Sequence, residues 1–150
     1  MPRLCVLLLL VAPAACVTAR PAAPLPLASL SRGPCFGRCP EYQVEVFSDG
    51  RVRFEGRRHV ATVGEAVGQL DAAQLSALEA RFEAARFTDF AGRYERADTT
   101  DLPVVVLAYQ GRAVRHALGD SSAPAALTQL EDDVDTLLGT ARWVTGAVER

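Results

Sequence analysis

"YQVEVFSDGRVRFEG", Tyr42 to Gly56, is the stretch from which the architecture can be read. Tyr42, Val44 and Val46 alternate with Gln43 and Glu45, the period of a strand with one buried face. Ser48-Asp49-Gly50 follows, and Asp-Gly between two alternating runs is the strongest short-range signal for a hairpin. Arg51 to Glu55 then alternates again, with Val52 and Phe54 inward. Gly56 interrupts that run, and Arg57 to Val63, "RRHVATV", is expected to return as a third strand. An antiparallel meander therefore opens the domain.

Downstream, the period changes from two to three and four. Asp71 and Gln74 have the spacing of a capping box. Leu75, Leu78, Phe82 and Ala85 then form one apolar stripe of a helix. Phe87 and Phe90 continue into the core beyond it, and Gly92 closes the unit. Leu102 to Tyr109, "LPVVVLAY", is β-branched and apolar on both faces, which predicts a central strand. Gln110-Gly111 turns the chain, and Arg112 to Leu118 pairs back. Gly119 to Pro124 leads into a second helix, with Ser122 as candidate N-cap and Pro124 in its first turn. Its stripe is Leu127, Leu130, Val134, Leu137 and Ala141, with Gly139 weakening the helix late and Trp143 packing near its end. The order βββ-α-ββ-α predicts an α+β fold: an antiparallel sheet with two amphipathic helices packed on one face.

Working back toward the N-terminus, residues 17–30 are Pro- and Ala-rich without periodicity and read as a tether to a single domain over 31–150. Ahead of it, Arg3, the apolar run Leu4 to Val11 and the small residues Ala12 to Ala15 have the order of a secretory signal. The run is shorter than the roughly 20 residues of a membrane-spanning helix. "AAC", ending at Cys16, resembles the lipobox of bacterial lipoproteins, although Pro13 stands where an aliphatic residue is usual. Residues 1–16 are then a lipoprotein leader; ordinary cleavage after Ala14 or Ala19 is the alternative.

The chain has four cysteines. Cys5 leaves with the leader. Lipidation of Cys16, or cleavage after Ala19, leaves Cys35 and Cys39 as the remaining pair. In an oxidising compartment such a pair forms a disulfide. Gly37 between them, with Pro34 and Pro40 outside, permits the necessary turn. A redox role is the rival, although thioredoxin-type sites are C-x-x-C rather than C-x-x-x-C. Zinc is the third reading and would need His59 and His116 to complete four ligands.

Composition excludes several classes. Among 150 residues, 49% are hydrophobic and 23% charged, with a net charge of −2 and no lysine. A nucleic-acid-binding domain usually carries a basic surplus. There is no P-loop, dinucleotide fingerprint or H-E-x-x-H. Ser121 and Ser122 lack the G-x-S-x-G setting of a hydrolase. Ala97 to Asp101, "ADTTD", offers calcium-type oxygens without a full ligand loop and reads as a solvated turn. Arg57, Arg58 and His59 read as a wet strand face. Glu131 to Asp135, "EDDVD", reads mostly as the polar side of a helix. No catalytic residue, cofactor or metal is assigned.

The stretch Cys35 to Gly56 resembles the opening of a family of bacterial exported domains of unknown function. The resemblance rests on Cys35, Gly37, Cys39, Pro40 and Tyr42, the hairpin Asp49-Gly50, and a later Thr100-Asp101-x-Pro103. Gly119 to Asp135 is similar to that family's last turn and helix. The resemblance implies an α+β fold and a signal or lipoprotein leader, and it implies no reaction. The expectation is a non-enzymatic envelope module, lipid-anchored, periplasmic or secreted. Its partner is an unknown envelope protein or ligand, and it touches the membrane only through an N-terminal lipid. Thiol–disulfide or metal-dependent work at Cys35 and Cys39 is the alternative.

Overall fold

A computed structural model of the chain describes residues 24–96 and 102–147. Its strands are β1 (Ala28–Arg32), β2 (Glu41–Val46), β3 (Arg51–Arg58), β4 (Gly64–Gln69), β5 (Arg93–Tyr94), β6 (Val104–Tyr109) and β7 (Arg112–Ala117). The helices are α1 (Ala72–Ala84), α2 (Ala125–Leu138) and the single turn α3 (Ala141–Val144), with a 3-10 turn at Phe87–Asp89. They form an α+β unit around one seven-stranded sheet, ordered β4-β3-β2-β1-β6-β7-β5.

The quoted hairpin forms as its alternation demands. Val44 faces Phe54 and Val46 faces Val52 across β2 and β3, and all four are buried. Gly50 turns the chain at φ +80°, where a Cβ would lie 2.4 Å from the Leu70 carbonyl oxygen. Asp71 caps α1 with the reciprocal Gln74 bonds of a capping box.

Several expectations need correction. First, the order βββ-α-ββ-α misses β1, whose Ala28 and Leu30 are buried at the middle of the sheet, between β2 and β6. Three of its residues fall in the stretch read as a tether. Second, the third strand is Gly64–Gln69 rather than Arg57–Val63. β3 runs through Gly56, and His59, at φ +55°, turns the chain. Third, the sheet is mixed, because β5 pairs parallel to β7. Fourth, Pro124 rather than Ser122 precedes α2. The Ser122 amide and hydroxyl both donate to Asp120 instead. Gly139, in the left-handed region, ends that helix rather than weakening it.

Residues of β1, β2, β3, β6 and β7 are buried and share a single core with the helical stripes: Leu30, Val44, Phe54, Leu107 and Val114 against Leu78, Phe82, Leu127, Leu130 and Val134. Leu138, not Leu137, is the fully buried residue at the end of α2, and Ala141 is exposed. Trp143 stacks on Phe54 at 5.0 Å and closes the core over β3. No described helix is long and apolar enough to cross a membrane.

Candidate functional site

The end of β1 and the starts of β2 and β6 meet at one end of the sheet. Register places Arg32 between Tyr42 on one side and Val105 on the other. The Gly33 amide donates to the Val104 carbonyl at 2.8 Å, which holds the exit of β1 against β6. These three ends, with Leu118, Asp132 and Val144, line a cavity of about 290 Å³ that also takes in Cys39, Pro40 and Pro103. Its walls are chiefly apolar, with Arg32 and Asp132 as the two charges.

A polar clip fixes the cavity's back wall. Tyr42 donates to Asp135 Oδ1 at 2.6 Å, and Thr140 donates to the same oxygen at 2.8 Å. Arg32 Nη2 lies 2.7 Å and Nε 2.8 Å from Asp135 Oδ2. Arg32 Nε also reaches the Tyr42 oxygen at 3.1 Å, and Nη2 reaches Asp132 at 3.3 Å. The clip ties β1, β2 and α2 together through shared hydrogen bonds and ion pairs. Burial, reinforced by the Asp135 carboxylate, holds the Tyr42 phenol well above its ordinary range. Burial opposes the Arg32 charge, but Asp135 and the Tyr42 oxygen outweigh it and raise the guanidinium above its ordinary value. Tyr42 therefore stays protonated and Arg32 charged at any physiological pH. Neither is a general base.

Beside the cavity, Cys35 and Cys39 are joined as a disulfide with their Cα atoms 5.8 Å apart. Gly37 turns the ring, its amide donating to the Cys35 carbonyl at 2.9 Å. The ring holds Phe36 outward, 95% exposed. On its other side, Cys35 and Cys39 share a hollow of about 50 Å³ with Glu41, Arg58 and His59. His116 is not there. It is buried in the core with Nδ1 3.0 Å from Glu131 Oε1. Thus the pair meets one of the two histidines that a zinc reading would need. Among the described residues, no three His, Cys, Asp or Glu side chains gather as a metal site.

Of the residues that carried the resemblance, Cys39, Pro40, Tyr42 and Pro103 come together at the cavity, with Cys35 and Gly37 in the adjoining ring. Asp49 and Gly50 lie apart, at the hairpin turn, where the Asp49 carbonyl accepts from Gln69. Cys16, Thr100 and Asp101 lie outside the described residues, as does the rest of Ala97 to Asp101. Sequence reasoning missed Arg32, Asp132 and Asp135. Arg32 ends an alternating run, "ASLSR", that was itself a strand signal. Glu131, read with the polar side of α2, is buried.

Residues 26–138 match the family described as Domain of unknown function (DUF6438). The chain belongs to the DUF6438 family. The DUF6438 match begins two residues before β1 and ends with the last residue of α2. It thus includes the clip residues Arg32, Tyr42, Asp132 and Asp135, and it stops short of α3, which supplies Val144 to the cavity. No curated protein matches the chain.

Proposed function

We propose that this DUF6438 domain is a non-enzymatic binding module of the bacterial cell envelope. It is exported by its N-terminal signal and held by lipid on Cys16, or released as a soluble protein. Its partner is an envelope protein or ligand, taken at the Cys35–Cys39 ring and the cavity beside it. One observation carries this reading: a closed ring, whose Cys39 lines a largely apolar cavity, holds Phe36 in solvent. Aromatic anchors of this kind dominate binding energy, and a pre-ordered loop loses little entropy on docking. The clip supports the reading, because its groups are spent on each other and leave no nucleophile paired with a base.

The test is a photo-crosslinking residue at Phe36 in the native host, beside a second probe at the exposed Thr88. A specific envelope adduct is expected from Phe36 alone, and Phe36→Ala should lose the same partner in a binding assay while melting normally. Equal adducts from both probes, or undiminished binding by Phe36→Ala, would reject the module.

Thiol–disulfide exchange at Cys35 and Cys39 is favoured by one feature. The pair is part exposed, with Arg58 in the same hollow, where it is paired with Glu41 at 2.9 Å. A cationic neighbour stabilises a thiolate. Equilibration with a glutathione buffer separates the readings, since a structural disulfide resists reduction where a working one does not.

A further inference from the structure

The sheet ends differently on its two sides. β5 is two residues long, and short edge strands are a usual defence against unwanted pairing. β4 is six residues long, Gly64–Gln69, and has neither proline nor arginine. Its Val67 is 75% exposed, and Val63 just before it is 70% exposed.

The hydrogen-bond parity shows which groups β4 leaves free. The Leu70 amide donates to the Gly50 carbonyl at 2.8 Å, and the Phe47 amide to the Arg51 carbonyl at 2.9 Å. In an antiparallel ladder, bonded pairs alternate. Even-numbered residues of β4 therefore bond to β3, through the pairs Gly64–Gly56, Ala66–Phe54 and Gly68–Val52. Glu65, Val67 and Gln69 point their amides and carbonyls away from the sheet. No backbone bond among the described residues reaches them.

We propose that β4 is a self-pairing edge, through which two copies of this chain join antiparallel about a twofold axis at Val67. The register is self-complementary. Val67 opposes Val67 of the second copy, and Glu65 opposes Gln69; all are residues with outward backbone groups. Each opposed pair can thus exchange both of its bonds. Ala66 opposes Gly68 as the intervening non-bonded pair. No charge meets its like, so the single acidic side chain on the edge does not prevent pairing. On the helix side, Ala66 and Gly68 are the smallest side chains available. They leave room for Arg142, whose guanidinium lies over the Trp143 ring, beside Gly68. The contact is isologous and closes at two copies. An unrelated extended peptide would fit the same backbone groups; what favours a second copy is the side-chain pairing, exposed Val67 against Val67 and Glu65 against Gln69.

Sedimentation of the full chain across a concentration series tests the proposal, with Val67→Arg and Val67→Pro beside it. The Val67 amide points outward, so proline there removes only a bond to the second copy. Arginine places like charges on the axis. The expected result is a reversible dimer whose dissociation constant rises at least about tenfold in either variant, with the melting temperature at low concentration unchanged. A wild type that stays monomeric at its highest soluble concentration would overturn the proposal. So would dimers that survive both substitutions. A monomer whose Glu65, Val67 and Gln69 amides already resist hydrogen exchange would assign the edge to another segment of the chain, and self-pairing would fall.

Discussion

Tyr42 sets its hydroxyl between a cation and a carboxylate, and that position decides what its loss does. Tyr42→Phe keeps the ring, which stacks 5.4 Å from Phe54, but takes one donor from Asp135. Thr140 and Arg32 still satisfy the carboxylate, so the cost should be about 1–2 kcal/mol in urea denaturation. Asp135→Ala strands the part-buried Arg32 guanidinium and should cost more, about 3 kcal/mol. If the two variants were equally stable, the clip would be packing alone. Glu131 gives a pH signature. Burial raises its carboxyl pKa above the ordinary 4.5, partly opposed by His116 and Arg32, while Asp132 adds to the rise. The fold thus holds this proton more tightly than the unfolded chain. The stability from this group is fully present below about pH 4.5 and is lost as pH rises through the folded pKa. Glu131→Gln should flatten that falling limb in denaturant midpoints taken from pH 4 to 8. An unchanged slope would place the linkage elsewhere. Glu131 was illegible because the stripe Leu127, Leu130, Val134 and Leu137 reads as complete without it. Its reason to turn inward is His116, a partner on β7 that helix periodicity does not reveal.

At the scale of elements, local patterns that carry their own punctuation were legible. The β2–β3 hairpin has Asp49-Gly50, α1 has Asp71 and Gln74, and β6 has Gln110-Gly111 behind it. β1 has only Pro24 and Pro26 before it, and prolines so close masked five alternating residues. β4 failed for another reason: Gly56 was read as a breaker, although a strand tolerates glycine where another backbone passes close. Here a Cβ on Gly56 would lie 2.0 Å from the Thr62 carbonyl oxygen and 2.8 Å from Val60 Cγ2. Gly56→Ala should therefore destabilise by about 1–3 kcal/mol, the range of overpacked cores, read as a lowered thermal midpoint. A neutral result would mean that the Val60–Val63 turn shifts freely. The cavity was half legible for similar reasons. Cys39, Pro40 and Pro103 are conspicuous in sequence, whereas Asp132 and Asp135 sit among other acidic residues of α2, and only packing separates them. The disulfide ring spans few residues, so breaking it should cost about 2 kcal/mol by chain entropy. Faster hydrogen exchange is expected first at Tyr42 and Gln43, with the α2 amides unaffected.

The whole molecule is two halves joined at one strand. The meander β2-β3-β4 with α1, and the hairpin β6-β7 with α2, are each continuous in sequence, and their shared rhythm suggests two units side by side. The sheet order denies them independence, because β1 lies between β2 and β6 and bonds to both. Leu30, fully buried, fills the centre of the core that α1 and α2 share. Leu130→Ala should accordingly cost about 2–5 kcal/mol and shift the entire transition. A stronger consequence concerns where the domain begins. A chain starting at Ser31 keeps everything that sequence patterning assigned to the domain, but it lacks Ala28 and Leu30. It would leave β2 and β6 with facing unpaired edges and a void where Leu30 packs. Unpaired backbone groups and a lost core residue compound each other, so this chain should show no cooperative melt by circular dichroism. A chain starting at Pro24 should unfold in one transition seen alike by far-ultraviolet and tryptophan signals, the mark of a single cooperative unit. If the shorter chain also melts cooperatively at the same temperature, β1 is an accessory strand and the two halves hold each other through the helices alone.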